Sequence, residues 1–132
     1  MKRITALMLA MVLIFTAAGC SSYISSYTAV GFVHSNSSKS AFMNFFSFKG
    51  RMVFRLKSTG EGDIKYTAKL ESGKAAVYYD YNGTKLELFS ASGGDEIDSR
   101  GGYIEKGTVY IIVETDGQCK NGEFRFSVGG EE

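Results

Sequence analysis

Ala75-Ala-Val-Tyr-Tyr-Asp-Tyr-Asn-Gly-Thr-Lys-Leu-Glu-Leu-Phe89 decides the fold class. Two runs rich in aromatic and aliphatic residues, Ala75–Tyr81 and Lys85–Phe89, flank Asn82-Gly83. Successive side chains of a strand point to opposite faces, so alternating runs of this kind suit a half-buried sheet. Asn and Gly both tolerate the positive φ that a type I′ turn needs, which makes the pair the strongest short hairpin signal. The stretch predicts an antiparallel hairpin, with Val77 and Tyr79 on one face and Tyr78 on the other.

The same alternation continues outward in both directions. Arg51–Lys57 sets Met52, Phe54 and Leu56 inward and Arg51, Arg55 and Lys57 outward. Ile64–Leu70 sets Ile64, Tyr66, Ala68 and Leu70 against Lys65, Thr67 and Lys69, and the turn-rich link 58–63 joins the two. Ala41–Phe48 is aromatic on both faces, with Phe42, Phe46 and Phe48 opposite Met43 and Phe45, as in a central strand of a sandwich. Thr28–His34 is a first strand candidate, followed by the polar loop Ser35–Ser40. Downstream, Ser92–Gly102 reads as an acidic, glycine-rich loop. Thr108–Thr115 places Val109, Ile111 and Val113 opposite Tyr110 and Ile112. Asp116-Gly117 and Asn121-Gly122 read as turns before a closing strand, Glu123–Val128. About eight strands and no helical periodicity after the leader predict an all-β, antiparallel β-sandwich that is jelly-roll-like, because double layering manages exposed strand edges. One domain over residues 28–132 is the expected organisation, with enough apolar content for a single core.

Residues 1–19 have the parts of an export signal: Lys2 and Arg3, an apolar run from Ile4 to Phe15, then small residues. At 1.5 Å per helical residue that run falls well short of the roughly 30 Å bilayer core. Its close, Ala17-Ala18-Gly19-Cys20, resembles the lipobox of bacterial lipoproteins. The resemblance implies cleavage before Cys20 and acylation of its thiol. The localisation that follows is extracytoplasmic, lipid-anchored to the cell membrane or the outer membrane. Ala17 stands where that family usually has Leu. Residues 20–27 then supply the lipidated cysteine and a short Ser/Tyr-rich tether.

Removing Lys2 and Arg3 from the 15 basic residues leaves 13 against 14 acidic ones, a balance that gives no nucleic-acid signal. Basic residues concentrate between Ser38 and Lys74 and acidic ones after Ala75. This reads as two complementary sheet faces. The second half of the chain, from Val77–Ser90 through Ile104–Glu114 to Asn121–Val128, resembles the bacterial pre-peptidase C-terminal domain. That resemblance implies a β-sandwich carried by a secreted protein and says almost nothing about activity.

Candidate chemistry is sparse. His34 is the single histidine, with no Gly-x-Ser-x-Gly elbow and no His-Glu-x-x-His pair, so no catalytic residues are assigned and the chain is not expected to be an enzyme. Asp95, Glu96 and Asp98 offer oxygen ligands for calcium in the acidic loop. Tyr78 and Tyr110 offer an aromatic platform for a sugar or a protein. The outward row Arg51, Arg55, Lys65 and Lys69 offers charge to anionic lipid or polymer near the anchor. Cys119 beside Lys120 is a lone thiol and a candidate for a lowered pKa. The functional expectation is a membrane-anchored lipoprotein acting as a binding or structural accessory at the cell envelope. The alternative is a carbohydrate- or protein-binding module, with calcium as an optional cofactor and an envelope protein or glycan as partner.

Overall fold

The computed structural model describes residues 23–81 and 83–128. Met1–Gly19, Cys20 and Asn82 therefore lie outside the described residues. The described chain forms nine strands: β1 (Ser26–Val30), β2 (Val33–Asn36), β3 (Ser40–Ser58), β4 (Gly62–Ser72), β5 (Lys74–Asp80), β6 (Lys85–Ser92), β7 (Glu96–Ile104), β8 (Gly107–Thr115) and β9 (Cys119–Ser127). Every pairing is antiparallel. No helix occurs among the described residues.

The 19-residue β3 organises the rest. Its residues 40–48 pair with β9, and its residues 51–58 pair with β8. Between the two arms sits Gly50, at φ +129°. Asn36 pairs with Ala41 yet its side chain reaches the backbone of Arg55. A straight strand at about 3.3 Å per residue would hold those two β3 residues some 45 Å apart. β3 therefore folds over, and the strand order β6-β5-β8-β3-β9-β4-β7 divides at it into two layers. The first layer is β6-β5-β8 with residues 51–58, and the second is residues 40–48 with β9-β4-β7. Counting β3 once in each, this is an eight-position jelly-roll-like sandwich. β1 and β2 are added on β3.

The core lies between the layers and is what the alternation demands. Met52, Phe54 and Leu56, with Val109, Ile111 and Val113, face Met43, Phe45, Phe124 and Phe126, all at 6% exposure or less. Tyr66 of β4, the next-to-last strand, stacks on Phe89 of β6 at 4.3 Å between ring centroids, and β6 also touches β7, which closes the strand order toward a near-barrel. The inward parity changes within β3, from odd positions at 41, 43 and 45 to even ones from Phe48 onward. Phe48 is thus fully buried beside Phe45, while Phe46 is 56% exposed, separating two residues that simple alternation puts together.

Four boundaries differ from the sequence reading. Thr28–His34 is two strands, broken at Gly31 with φ +60°. Ala41–Phe48 and Arg51–Lys57 are arms of one strand. Much of Ser92–Gly102 is strand β7, not loop; it pairs with β4 from Lys69↔Glu96 to Gly62↔Ile104 and needs few apolar side chains because it is held by backbone bonds at the end of the strand order. Asn121-Gly122 lies inside β9: Asn121, at φ +50°, drops out of the register, and Gly122 lies against the Phe45 ring where no Cβ fits. Asp116-Gly117 is a turn.

Candidate functional site

The outer face of the first layer carries residues 76, 78 and 80 of β5 and 108, 110, 112 and 114 of β8. The chain itself closes much of it. Tyr23, read from the sequence as part of a tether, folds back here: its hydroxyl donates to Asp80 Oδ2, and its ring packs on Tyr110 at 5.6 Å between centroids. Asp80 Oδ1 also accepts the Gly83 N–H at 2.9 Å, closing the turn after β5. Burial, reinforced by the bond to the Asp80 carboxylate and its charge, pushes the Tyr23 phenol up to about 12. Ser25 Oγ accepts the Val53 N–H at 2.9 Å, and β1 begins at the next residue. Alongside, Glu114 binds both Arg51 at 2.9 Å and Lys85 at 3.1 Å. Lys85 Nζ stands 4.5 Å from the Tyr78 ring centroid. Tyr78 and Tyr110 do share this face, on diagonal positions set by Tyr78↔Ile112 and Asp80↔Tyr110. Each already has a partner in the fold, Lys85 for Tyr78 and Tyr23 for Tyr110.

The outer face of the second layer is open. A row runs across it in register, Ser35–Phe42–Arg125–Thr67–Asp98. Along this row lies a shallow groove of about 510 Å³ whose walls include Phe42, Lys65, Thr67, Asp98, Arg125 and Ser127. The Arg125 guanidinium lies 4.3 Å from the Phe42 ring centroid, and its Nε donates to Glu123 at 2.7 Å. A flat cation held over a ring leaves both groups partly available to a ligand. Lys65 stands directly across from Arg100, an arrangement of like charges that costs stability in a sheet. The outward basic row of the sequence is thereby split: Arg51 and Arg55 lie on the first layer, Lys65 and Lys69 on the second.

The three acidic candidates do not converge. Asp95 Oδ2 accepts the Ser92 N–H at 2.8 Å and so caps its own turn. Glu96 stands 3.6 Å from Lys69, and Asp98 ends the row beside Thr67. Among the described residues no three His, Cys, Asp or Glu side chains stand close enough to hold a metal ion. His34 stacks on Phe32 at 4.8 Å between centroids and sits at the exposed β2. Cys119 corrects the expectation of a reactive thiol. It is fully buried, its Sγ donates to the Lys74 carbonyl at 3.2 Å, and burial pushes its pKa up rather than down.

Lys65 and Asp98 were singled out for other roles, whereas Phe42, Thr67 and Arg125 were missed because β3, β9, β4 and β7 bring the groove together from positions as distant as 42 and 125. The one local signal was outward polar residues alternating with core positions, which any sheet face shows. The Tyr23–Asp80 pairing was missed because it depends on where the first residues of the domain land.

No protein-family model matches the chain, and no curated protein matches it. Among solved structures it is similar to TmCBM61 in complex with β-1,4-galactotriose, at 18% identity, covering 78% of this chain and 86% of that one, with a TM-score of 0.47. It is also similar to a mutant of a carbohydrate binding module of family 29, at 12% identity, covering 80% and 89%, with a TM-score of 0.41. A third is the Drosophila melanogaster CENP-C cupin domain, at 14% identity, covering 79% and 74%, with a TM-score of 0.33.

Proposed function

We propose that this chain is a lipid-anchored lipoprotein of the cell envelope whose β-sandwich is a non-catalytic binding module for a glycan or a protein. The anchor half of the reading is supported by the leader that ends in Ala17-Ala18-Gly19-Cys20. The observation that carries the binding half is the groove on the second layer, where Phe42 and Arg125 form a stacked pair amid the polar side chains of Thr67, Asp98 and Ser127. Aromatic faces flanked by hydrogen-bonding groups suit a sugar ring, which is apolar on its faces and polar at its rim. The Tyr78 and Tyr110 pair is the weaker platform, since Tyr23 packs on Tyr110 and ties it to the fold.

Metabolic labelling with an alkyne fatty acid tests the anchor: the wild-type chain takes label and Cys20→Ala does not. A glycan array tests the module. Binding is expected to fall about tenfold in Phe42→Ala and to survive in Tyr78→Ala, the loss of one stacked ring being worth roughly 1 kcal/mol or more. The reverse pattern moves the site to the first layer. Repeating the array with a chelator decides whether Asp95, Glu96 and Asp98 bring calcium into it.

A further inference from the structure

The surface beside the anchor is built differently from the rest of the first layer. Cys20 precedes Tyr23 by three residues, which reach at most about 10 Å when extended. Tyr23 is fixed on the sheet by Asp80 and Tyr110, so an acylated Cys20 holds this part of the domain against the headgroups. Tyr110, on which Tyr23 packs, is the register partner of Arg55. Arg55 belongs to a second groove, of about 400 Å³, lined by Asn36, Ser37, Ser38, Arg55, Lys57 and Thr108.

This groove is preorganised by the backbone. Asn36 Oδ1 accepts the Arg55 N–H and its Nδ2 donates to the Arg55 carbonyl, both at 2.9 Å. The Lys57 N–H donates to the Ser38 carbonyl at 2.6 Å. The bend after β2 is therefore pinned along the edge of residues 51–58. Arg55 and Lys57 are exposed and occupy alternate positions, so both point outward, with Thr108 directly opposite Lys57. Neither forms an ion pair among the described residues, whereas Arg51 and Lys85 on the same layer are both bound to Glu114. Two uncommitted cations next to the Ser38 and Thr108 hydroxyls make a site for a phosphate oxyanion.

We propose that this groove takes the phosphate headgroups of the bilayer in which Cys20 is anchored, fixing the domain's orientation so that the second-layer groove stays exposed to its ligand. The inference rests on the lipid-anchor reading above. A basic side chain near an anionic membrane surface gains from the negative surface potential only within about a Debye length, roughly 8 Å at physiological salt. The short reach from Cys20 brings Tyr23 to the bilayer, and Arg55, one register pair from the Tyr110 on which Tyr23 packs, lies with Lys57 on the same outer face.

The test uses the full acylated chain in vesicles of phosphatidylcholine alone or with added phosphatidylglycerol, read by amine-reactive footprinting of lysines. Labelling of Lys57 is expected to slow about tenfold on the anionic vesicles and to recover with added salt, while Lys69 on the other layer labels at one rate throughout. Arg55→Ala is expected to restore much of the Lys57 labelling on anionic vesicles. Equal labelling of Lys57 and Lys69 on anionic vesicles overturns the headgroup site while leaving the anchor in place. A chain that does not float with the neutral vesicles overturns the anchor, and the inference with it.

Discussion

The two outer faces of this sandwich are built on the same strand pattern and end in opposite states. On the first layer, Tyr23 lies across Tyr110 and Asp80, Glu114 gathers Arg51 and Lys85, and Ile112 is fully buried although it points away from the core. On the second, Phe42 carries the Arg125 guanidinium over its ring, Phe46 is 56% exposed, and Lys65 faces Arg100 across the register. The difference lies in one short segment. Residues 23–25 fold back over the first layer before β1 begins, and among the described residues no such segment crosses the groove of the second. A face that the chain has covered contributes to stability, whereas a face left with stacked but accessible groups is suited to a partner.

The largest effect that breaks this comparison comes from Gly50, because both faces depend on β3 crossing between layers there. Its φ of +129° disfavours a side chain, and a Cβ would meet the Ser26 carbonyl oxygen and Tyr27 Cα. Gly50→Ala is expected to cost about 3 kcal/mol or more in a urea titration. A loss below about 0.5 kcal/mol would show that the bend does not depend on glycine.

A smaller effect separates the faces. Tyr23→Ala removes a ring contact and a hydrogen bond to a carboxylate and is expected to lower stability by about 2 kcal/mol. Phe42→Ala on the open face is expected to cost about 1 kcal/mol or less. Equal losses in the two variants would mean that the first layer is no more closed than the second.

The smallest effect appears at alkaline pH. Tyr23 and Tyr103 are both pushed up to about 12, but for different leading reasons: burial for Tyr23, the hydrogen bond to Glu61 for Tyr103. A phenol whose folded pKa exceeds its unfolded value near 10 holds its proton more tightly in the folded state. Its contribution is complete below about pH 10 and is lost as the pH rises toward about 12. Tyrosinate absorbance is expected to lose one late-titrating component in Tyr23→Phe and another in Tyr103→Phe. High salt is expected to bring Tyr103 down more than Tyr23, since exposed charges are screened and burial is not. An equal shift in both would remove the distinction.

Much of the architecture was legible because alternation is a local property. Arg51–Lys57 and Ile64–Leu70 put the expected residues into the core, since each needs only its neighbours two positions away to declare a face. β7 escaped because Asp98-Ser-Arg-Gly-Gly102 has almost no apolar alternation and is held by backbone bonds to β4. The turn reading of Asn121-Gly122 failed for the complementary reason. Its local chemistry favours a turn, but packing against Phe45 and pairing on both sides of β9 use the same two residues to distort a strand.

What the sequence determined by itself was the period: which side chains share a face, hence an all-β chain with one apolar interior, and a leader whose cysteine resembles a lipidation site. Tertiary structure alone decided that Ala41–Phe48 and Arg51–Lys57 are one folded-over strand, that Tyr23 closes the first layer, and that Phe42 and Arg125 meet across a groove. A strand's pattern specifies two faces but not which strand lies beside it, and the proposed site depends on neighbours that the chain brings together from more than eighty residues apart.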